Sequence, residues 1–191
     1  MAVSPKSRLT EEEYLAQERK AEFKSEYLNG EMFAMAGGTF RHASIILDFA
    51  GELRAQLRGT ACRALTQDMR VQVSSGGLYT YPDILAFCEP PAFLDETEDT
   101  LLNPVLIAEV LSDSTRDYDL GGKFELYRLI PTLREYVTVE QSAVHIVTRQ
   151  RQQDDSWLLR DYTDPGSDLP LSSVGVTIRT AEIYRNVSFA A

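Results

Sequence analysis

Ile45, Ile46, Phe49, Leu53 and Leu57 recur every three to four positions, which places them on one face of a helix. The loop Ala36-Gly37-Gly38-Thr39 leads into that helix and Gly59 closes it. Nearer the N-terminus, Thr10 with Glu13 has the form of a capping box, so a helix with a charged outer face is expected over 11–23. Asn29-Gly30 stands between two short runs, 25–28 and 31–35. Both turn residues tolerate positive φ, so the pattern predicts a β-hairpin. From Cys62 onward the period shortens to that of strands, predicted at 61–66, 69–73, 79–87 and 105–111 with Gly76-Gly77 as a turn. A helix follows over 117–129, stopped by Pro131, with Lys123 and Tyr127 one turn apart on one face. Further strands are predicted at 135–139, 144–148 and 157–162, and a short closing helix at 181–186.

Strands interleaved with helices define an α/β (α+β) protein with a mixed central sheet. A chain of 191 residues fits one domain, taken as 9–191 behind a flexible tail at 1–8. With 43% hydrophobic and 25% charged residues the composition is that of an ordinary globular chain, and no segment reaches the length of a membrane span. The start Met1-Ala2-Val3-Ser4-Pro5-Lys6 lacks the apolar stretch of a secretory signal, so a cytoplasmic location is expected. Cys62 and Cys88 fall in strand-like segments with no metal-ligand spacing and are expected to be reduced, buried thiols. With only two histidines beside them, a structural zinc site is not expected, and any bound metal is expected on carboxylates. A net charge of −10 argues against an extended basic surface that coats nucleic acid. The cations are nevertheless uneven: Arg19, Lys24, Arg41, Arg54, Arg58 and Arg63 lie in the first third, whereas 89–99 is acidic throughout.

Three residues carry candidate chemistry. Tyr81-Pro82-Asp83 ends in an acid, the apolar run Val105-Leu106-Ile107-Ala108 leads into Glu109, and Lys123 follows in Gly121-Gly122-Lys123-Phe124. Two carboxylates offer the hard oxygen ligands that Mg²⁺ prefers, and an ammonium can offset charge developing on phosphorus. That is the minimum equipment for metal-assisted phosphodiester cleavage. Glu109 lies 26 residues after Asp83, which lets one strand leave the first acid and another return beside it. Alone, Asp83 reads as a turn acid and Lys123 as a surface lysine on an amphipathic helix. Glu109 is different, because a carboxylate inside a strand buried on both faces needs a partner.

The ordered string Glu26-Tyr27-Leu28-Asn29-Gly30-Glu31, His42, Pro82-Asp83, Glu109-Val110-Leu111-Ser112, Asp119 with Lys123 and Tyr127, and Glu135-Tyr136 resembles the Uma2 family over roughly 9–187. That family is similar to the PD-(D/E)xK nuclease superfamily, which implies a restriction-endonuclease-like sheet holding a divalent metal between two acids. The resemblance implies Asp83 and Glu109 as ligands of Mg²⁺ or Mn²⁺, with Glu26 auxiliary to them, and Lys123 and His42 as further catalytic residues. One departure stands out: two residues after Glu109 the nuclease motif has lysine and this chain has Leu111, and the family pattern places the cation on the following helix instead, which here means Lys123. Glu140 and Tyr127 are supporting candidates, while Asp68, Asp117 and Asp119 read as caps and turn acids. The expected activity is endonucleolytic cleavage of DNA by a homodimer, with 144–148 offering an apolar sheet edge for pairing. The alternatives are a catalytically silent domain of the same fold that binds DNA or a partner, and a metal-dependent hydrolase of a small phosphate substrate.

Overall fold

The structure is a computed structural model that describes residues 8–112 and 116–189. The tail expected at 1–8 therefore lies almost wholly outside the described residues. Helix α1 (Glu11–Glu18) begins with the anticipated box, Thr10 and Glu13 each accepting from the other's backbone N–H. It stops a turn earlier than its charge pattern implied. Strands β1 (Ser25–Leu28) and β2 (Glu31–Ala34) form the hairpin about Asn29 and Gly30, whose φ values are 49° and 96°. Its tip leans on a second turn. Asn29 N–H donates to the Gly77 carbonyl at 3.0 Å, and a Cβ on Gly77 would meet Asn29 Oδ1 at 2.2 Å, so the contact requires glycine there. The same docking pairs β1 with β5 (Leu78–Thr80).

Helix α2 (Phe40–Gln56) buries Ile45, Ile46, Phe49 and Leu53, the face read from the periodicity. After it run β3 (Arg63–Thr66), β4 (Arg70–Val73), β5, β6 (Ile84–Phe87), the two-residue β7 (Thr100–Leu101) and β8 (Leu106–Leu111). Helix α3 (Lys123–Tyr127) leads to β9 (Glu135–Glu140), β10 (Ile146–Arg151) and β11 (Trp157–Tyr162). Strands β12 (Asp168–Leu171) and β13 (Val176–Arg179) and helix α4 (Thr180–Ile183) close the chain. The strands form a smaller sheet in the order β2-β1-β5-β4-β7, a larger one in the order β11-β10-β9-β8-β6-β3, and the ribbon β12-β13. Pairing is antiparallel except for β4 with β7 and β8 with β9, so both larger sheets are mixed, as expected. The apolar run predicted over 79–87 is broken: Tyr81-Pro82-Asp83 carries the chain from the smaller sheet into the larger. Proline, with no N–H to give to a ladder, accounts for the break.

The central strands of the larger sheet, β6, β8 and β9, are buried on both faces. Ile84, Ala86, Ala108, Val110, Val137 and Val139 pack against α2, α4 and the β12-β13 ribbon. Leu85, Ile107 and Tyr136 face the other way, onto Tyr127, Ile130 and Leu133 and onto Val71 and Leu78 of the smaller sheet. Alternation along β8 thus aims Ala108 and Val110 at α2 and leaves Glu109 between the two sheets. Two expectations are corrected. Cys62 and Cys88 are joined in a disulfide and are half-buried rather than reduced and buried. The register that pairs Arg63 with Phe87 puts the two cysteines directly opposite each other one step beyond the β3-β6 ladder. The supposed edge at 144–148 is interior, since β10 is paired with β9 on one side and β11 on the other.

Candidate functional site

The β6-β8 register pairs Ile84 with Ala108, so Asp83 falls opposite Glu109 just past the last ladder pair. The two acids are tied through the backbone. Asp83 N–H donates to Glu109 Oε2 at 3.1 Å, and Val110 N–H donates to Asp83 Oδ2 at 2.8 Å. Gln67, just past the end of β3, donates to Asp83 Oδ1 at 3.2 Å. On the other side His42 Nε2 lies 3.4 Å from Asp83 Oδ2, reached from the first turn of α2, where Thr39 caps the His42 N–H. His42 Nδ1 is buried and has no hydrogen-bond partner among the described residues.

Lys123 reaches Glu109 from the opposite direction. A π-helical turn, Tyr118–Gly122, precedes α3, and such wide turns recur where a helix must present a side chain to a site. Gly122 is needed in it, because a Cβ there would stand 2.8 Å from the Tyr118 ring. Tyr136 anchors the turn by donating to the Asp119 carbonyl at 2.8 Å. Lys123 Nζ then lies 3.0 Å from Glu26 Oε1, 3.1 Å from Glu109 Oε1 and 3.4 Å from Asp119 Oδ1. Glu26, carried on β1, also accepts from Thr80 Oγ1 at 2.5 Å, and Tyr127 donates to Glu109 Oε1 at 2.8 Å.

These groups are withdrawn from water: Glu109 is 3% exposed and Lys123 is 6% exposed. Burial pushes the Glu109 carboxyl up to about 8; the Lys123 ammonium opposes this, and Asp83 and Asp119 add to it. Burial works against the Lys123 charge, but Glu109, Tyr127, Glu26 and Asp119 together outweigh it and hold the ammonium well above its ordinary value. Burial likewise opposes a charged His42 ring, and the neighbouring Asp83 carboxylate raises its pKa regardless.

The structure thus brings Asp83, Glu109, Glu26, Lys123 and His42 into one locus. Asp119 belongs there too, though its sequence context pointed to a turn acid. Its four-residue offset from Lys123 was the available signal. Tyr127 and Thr80 complete the buried set. Glu140 stands apart, occupied by Arg116 and by the N–H groups of Gln141 and Ser142. Asp68 pairs with Lys24 on the surface. Among the described residues, no three His, Cys, Asp or Glu side chains form a preset metal cage. The carboxylates converge on the Lys123 ammonium instead. Their chemistry, hard oxygens among buried side chains, still fits a divalent cation, provided that Lys123 withdraws from Glu26 or Glu109 to admit it.

Comparison with known proteins bears on the family and the fold. The Uma2 family model, described as "Putative restriction endonuclease", matches residues 11–181. Uncharacterized protein slr1290 of Synechocystis sp. is 33% identical over 97% of this chain and 96% of its own length. Uncharacterized protein sll1609 of the same organism is 33% identical over 90% of this chain and 97% of its own. A crystal structure from Anabaena variabilis ATCC 29413, described as "a putative nuclease belonging to DUF820", superposes with a TM-score of 0.75 over 93% of this chain and 98% of that one. At 18% identity that likeness concerns the fold.

Proposed function

The chain belongs to the Uma2 family, and on that premise we propose that it is a divalent-metal-dependent nuclease that hydrolyses phosphodiester bonds in DNA. The observation that carries the reading is the cross-bonded pair of Asp83 and Glu109, with a buried lysine on the second acid. Asp83, Glu109 and Glu26 would hold Mg²⁺ or Mn²⁺, which supplies Lewis acidity toward a phosphodiester and activates water. Lys123 stands ready to offset negative charge gathering on phosphorus, at a helix position that replaces the strand position taken by Leu111. Tyr127 and Thr80 fix the orientation of Glu109 and Glu26. His42, beside Asp83 and only partly exposed, is placed to hold or pass a proton.

Mg²⁺ should raise the melting temperature and support cleavage of DNA, and Asp83→Ala or Glu109→Ala should abolish both responses, since a ligand specific to the folded state stabilises by mass action. A metal response that survives in both variants would refute the assignment. The catalytically silent reading rests on one observation, the ammonium already neutralising Glu26 and Glu109. It gains if the wild type cuts nothing under any metal. Cleavage of small phosphodiesters but not DNA favours the third reading.

A further inference from the structure

Outside the site, one surface is unlike the rest of this acidic protein. A shallow groove of about 400 Å³ runs between the C-terminal half of α2 and strand β3, lined by Arg54, Arg58 and Arg63. It continues into a second groove of about 320 Å³, floored by Leu47, Gly51 and Leu65. All three arginines are exposed, and none has an ion-pair or hydrogen-bond partner among the described residues. On a chain of net charge −10, cations left unpaired together are a sorted feature. The acids of α2 are sorted too: Asp48 is engaged by Asn186 and Glu52 by Arg185, on another face of the helix.

The outward stripe of α2 has a direction. Phe40, Leu47, Gly51 and Arg54 are spaced by seven, four and three residues, which keeps them on one line along the helix, and Arg58 follows just past its end. Phe40 is 82% exposed and Leu47 is 73% exposed, so neither serves the core. Both elements of the groove lead to the candidate site: Gln67, next after β3, donates to Asp83, and His42 in the first turn of α2 faces the same carboxylate. Leu47 thus lines the end of the groove nearer the acids, Phe40 lies farther along the same stripe of α2 beyond the groove itself, and Arg58 and Arg63 line the end away from the acids.

We propose that this groove seats a single strand of nucleic acid, with backbone phosphates on Arg54, Arg58 and Arg63 and unpaired bases against Phe40 and Leu47. The inference rests on the nuclease reading and narrows its substrate. Duplex DNA turns phosphates and sugars outward and offers nothing to cover an exposed phenyl ring, whereas an unpaired strand presents π faces that stack on aromatic side chains. An acidic peptide added to the free edge of β3 would meet only four residues of strand and would leave Phe40 uncovered.

The test is fluorescence anisotropy of labelled oligonucleotides on the full chain in chelator, so that nothing is cut. Single-stranded DNA should bind about tenfold or more tightly than a duplex of the same sequence. Reversal of the arginines (Arg54→Glu, Arg58→Glu, Arg63→Glu) should weaken it about tenfold or more and reduce the salt slope by about 2, at about 0.7 per phosphate contact. Phe40→Ser should weaken single-strand binding with no change of slope. Unchanged melting temperatures, expected for exposed positions, exclude misfolding as the cause. Equal or tighter duplex binding, indifference to the arginine reversal, or capture of poly-glutamate in place of DNA would each overturn the proposal. Its fate is separable from that of the nuclease reading. Metal-dependent cleavage of duplex without single-strand preference sinks the groove alone, and arginine-dependent single-strand binding by a protein that never cuts supports the groove and sinks the nuclease.

Discussion

At the scale of single residues, the chemistry turns on a lysine that is not where the nuclease pattern has it. Lys123 stands among three carboxylates, the nearest at 3.0 Å. Removing it should free Glu26 and Glu109 rather than disarm them, so Lys123→Ala is expected to keep or strengthen the Mg²⁺-induced rise in melting temperature. Cleavage should slow by about two orders of magnitude or more, as when one preorganised transition-state donor is lost. Leu111→Lys in that background should recover part of the rate, since the position two residues beyond Glu109 faces the same side of β8. Wild-type cleavage by Lys123→Ala would reduce the lysine to a counter-ion for buried acids. The single residues also show what was legible beforehand. Glu109 announced itself as a carboxylate inside an apolar run, whereas Asp83 read alone as a turn acid and stood out only through the family resemblance. Asp119 did not, because its burial is set by a π-turn and by Tyr136 from β9, contacts distant in sequence.

At the scale of elements, helix α2, the hairpin and the first cap were readable because each carries its own periodicity or turn chemistry. The break at Tyr81-Pro82-Asp83 and the ribbon β12-β13 were not, because which strand joins which sheet is decided by long-range pairing. The loop between β6 and β7 shows how such distant contacts act. Asp99 receives two hydrogen bonds from Arg19 beyond α1, at 2.8 and 3.1 Å, and lies 2.9 Å from the buried Arg70 of β4. The Arg19 hydrogen bonds foremost, with Thr100 and Arg70, hold its carboxyl well below the ordinary range against partial burial. A depressed folded-state pKa contributes stability that is present above the unfolded value, about 3.9, and is lost as pH falls toward the folded one. Asp99→Asn should therefore cost about 1 to 2 kcal/mol in urea unfolding at neutral pH, discounted for the partial exposure of the acid. The difference from wild type should shrink by about 1 kcal/mol at pH 3. An equal difference at both pH values would mean that Asp99 contributes by shape and not by charge.

At the scale of the whole molecule, the two edges of the larger sheet have opposite characters. The β3 edge carries Arg63 with Arg54 and Arg58 beside it on and just past α2, cations with no partner among the described residues, which repel their own copies and oppose pairing of that edge with itself. The β11 edge bears exposed Leu158 and Leu159 and no such cluster. The homodimer expected from the sequence, misplaced there onto an interior strand, is thus proposed to form through β11, continuing the sheet across a two-fold axis. Light scattering over a range of concentrations should find a dimer for the wild type and a monomer for Leu159→Lys, with the melting temperature of the isolated protomer unchanged by the substitution. A wild type that stays monomeric throughout removes the dimer and leaves the site untouched. The arrangement has a functional consequence that links it to the groove. Joining the β11 edges sends both β3 edges, with their grooves and adjoining acids, to the far ends of the assembly, where each would handle its own strand. Dimerisation should then leave the rate of single-strand cleavage per protomer unaltered, so Leu159→Lys should cut single-stranded DNA as fast as wild type. A large loss of that activity in the monomer would show instead that each site needs its partner protomer even to cut one strand, and would overturn the independence of the two grooves.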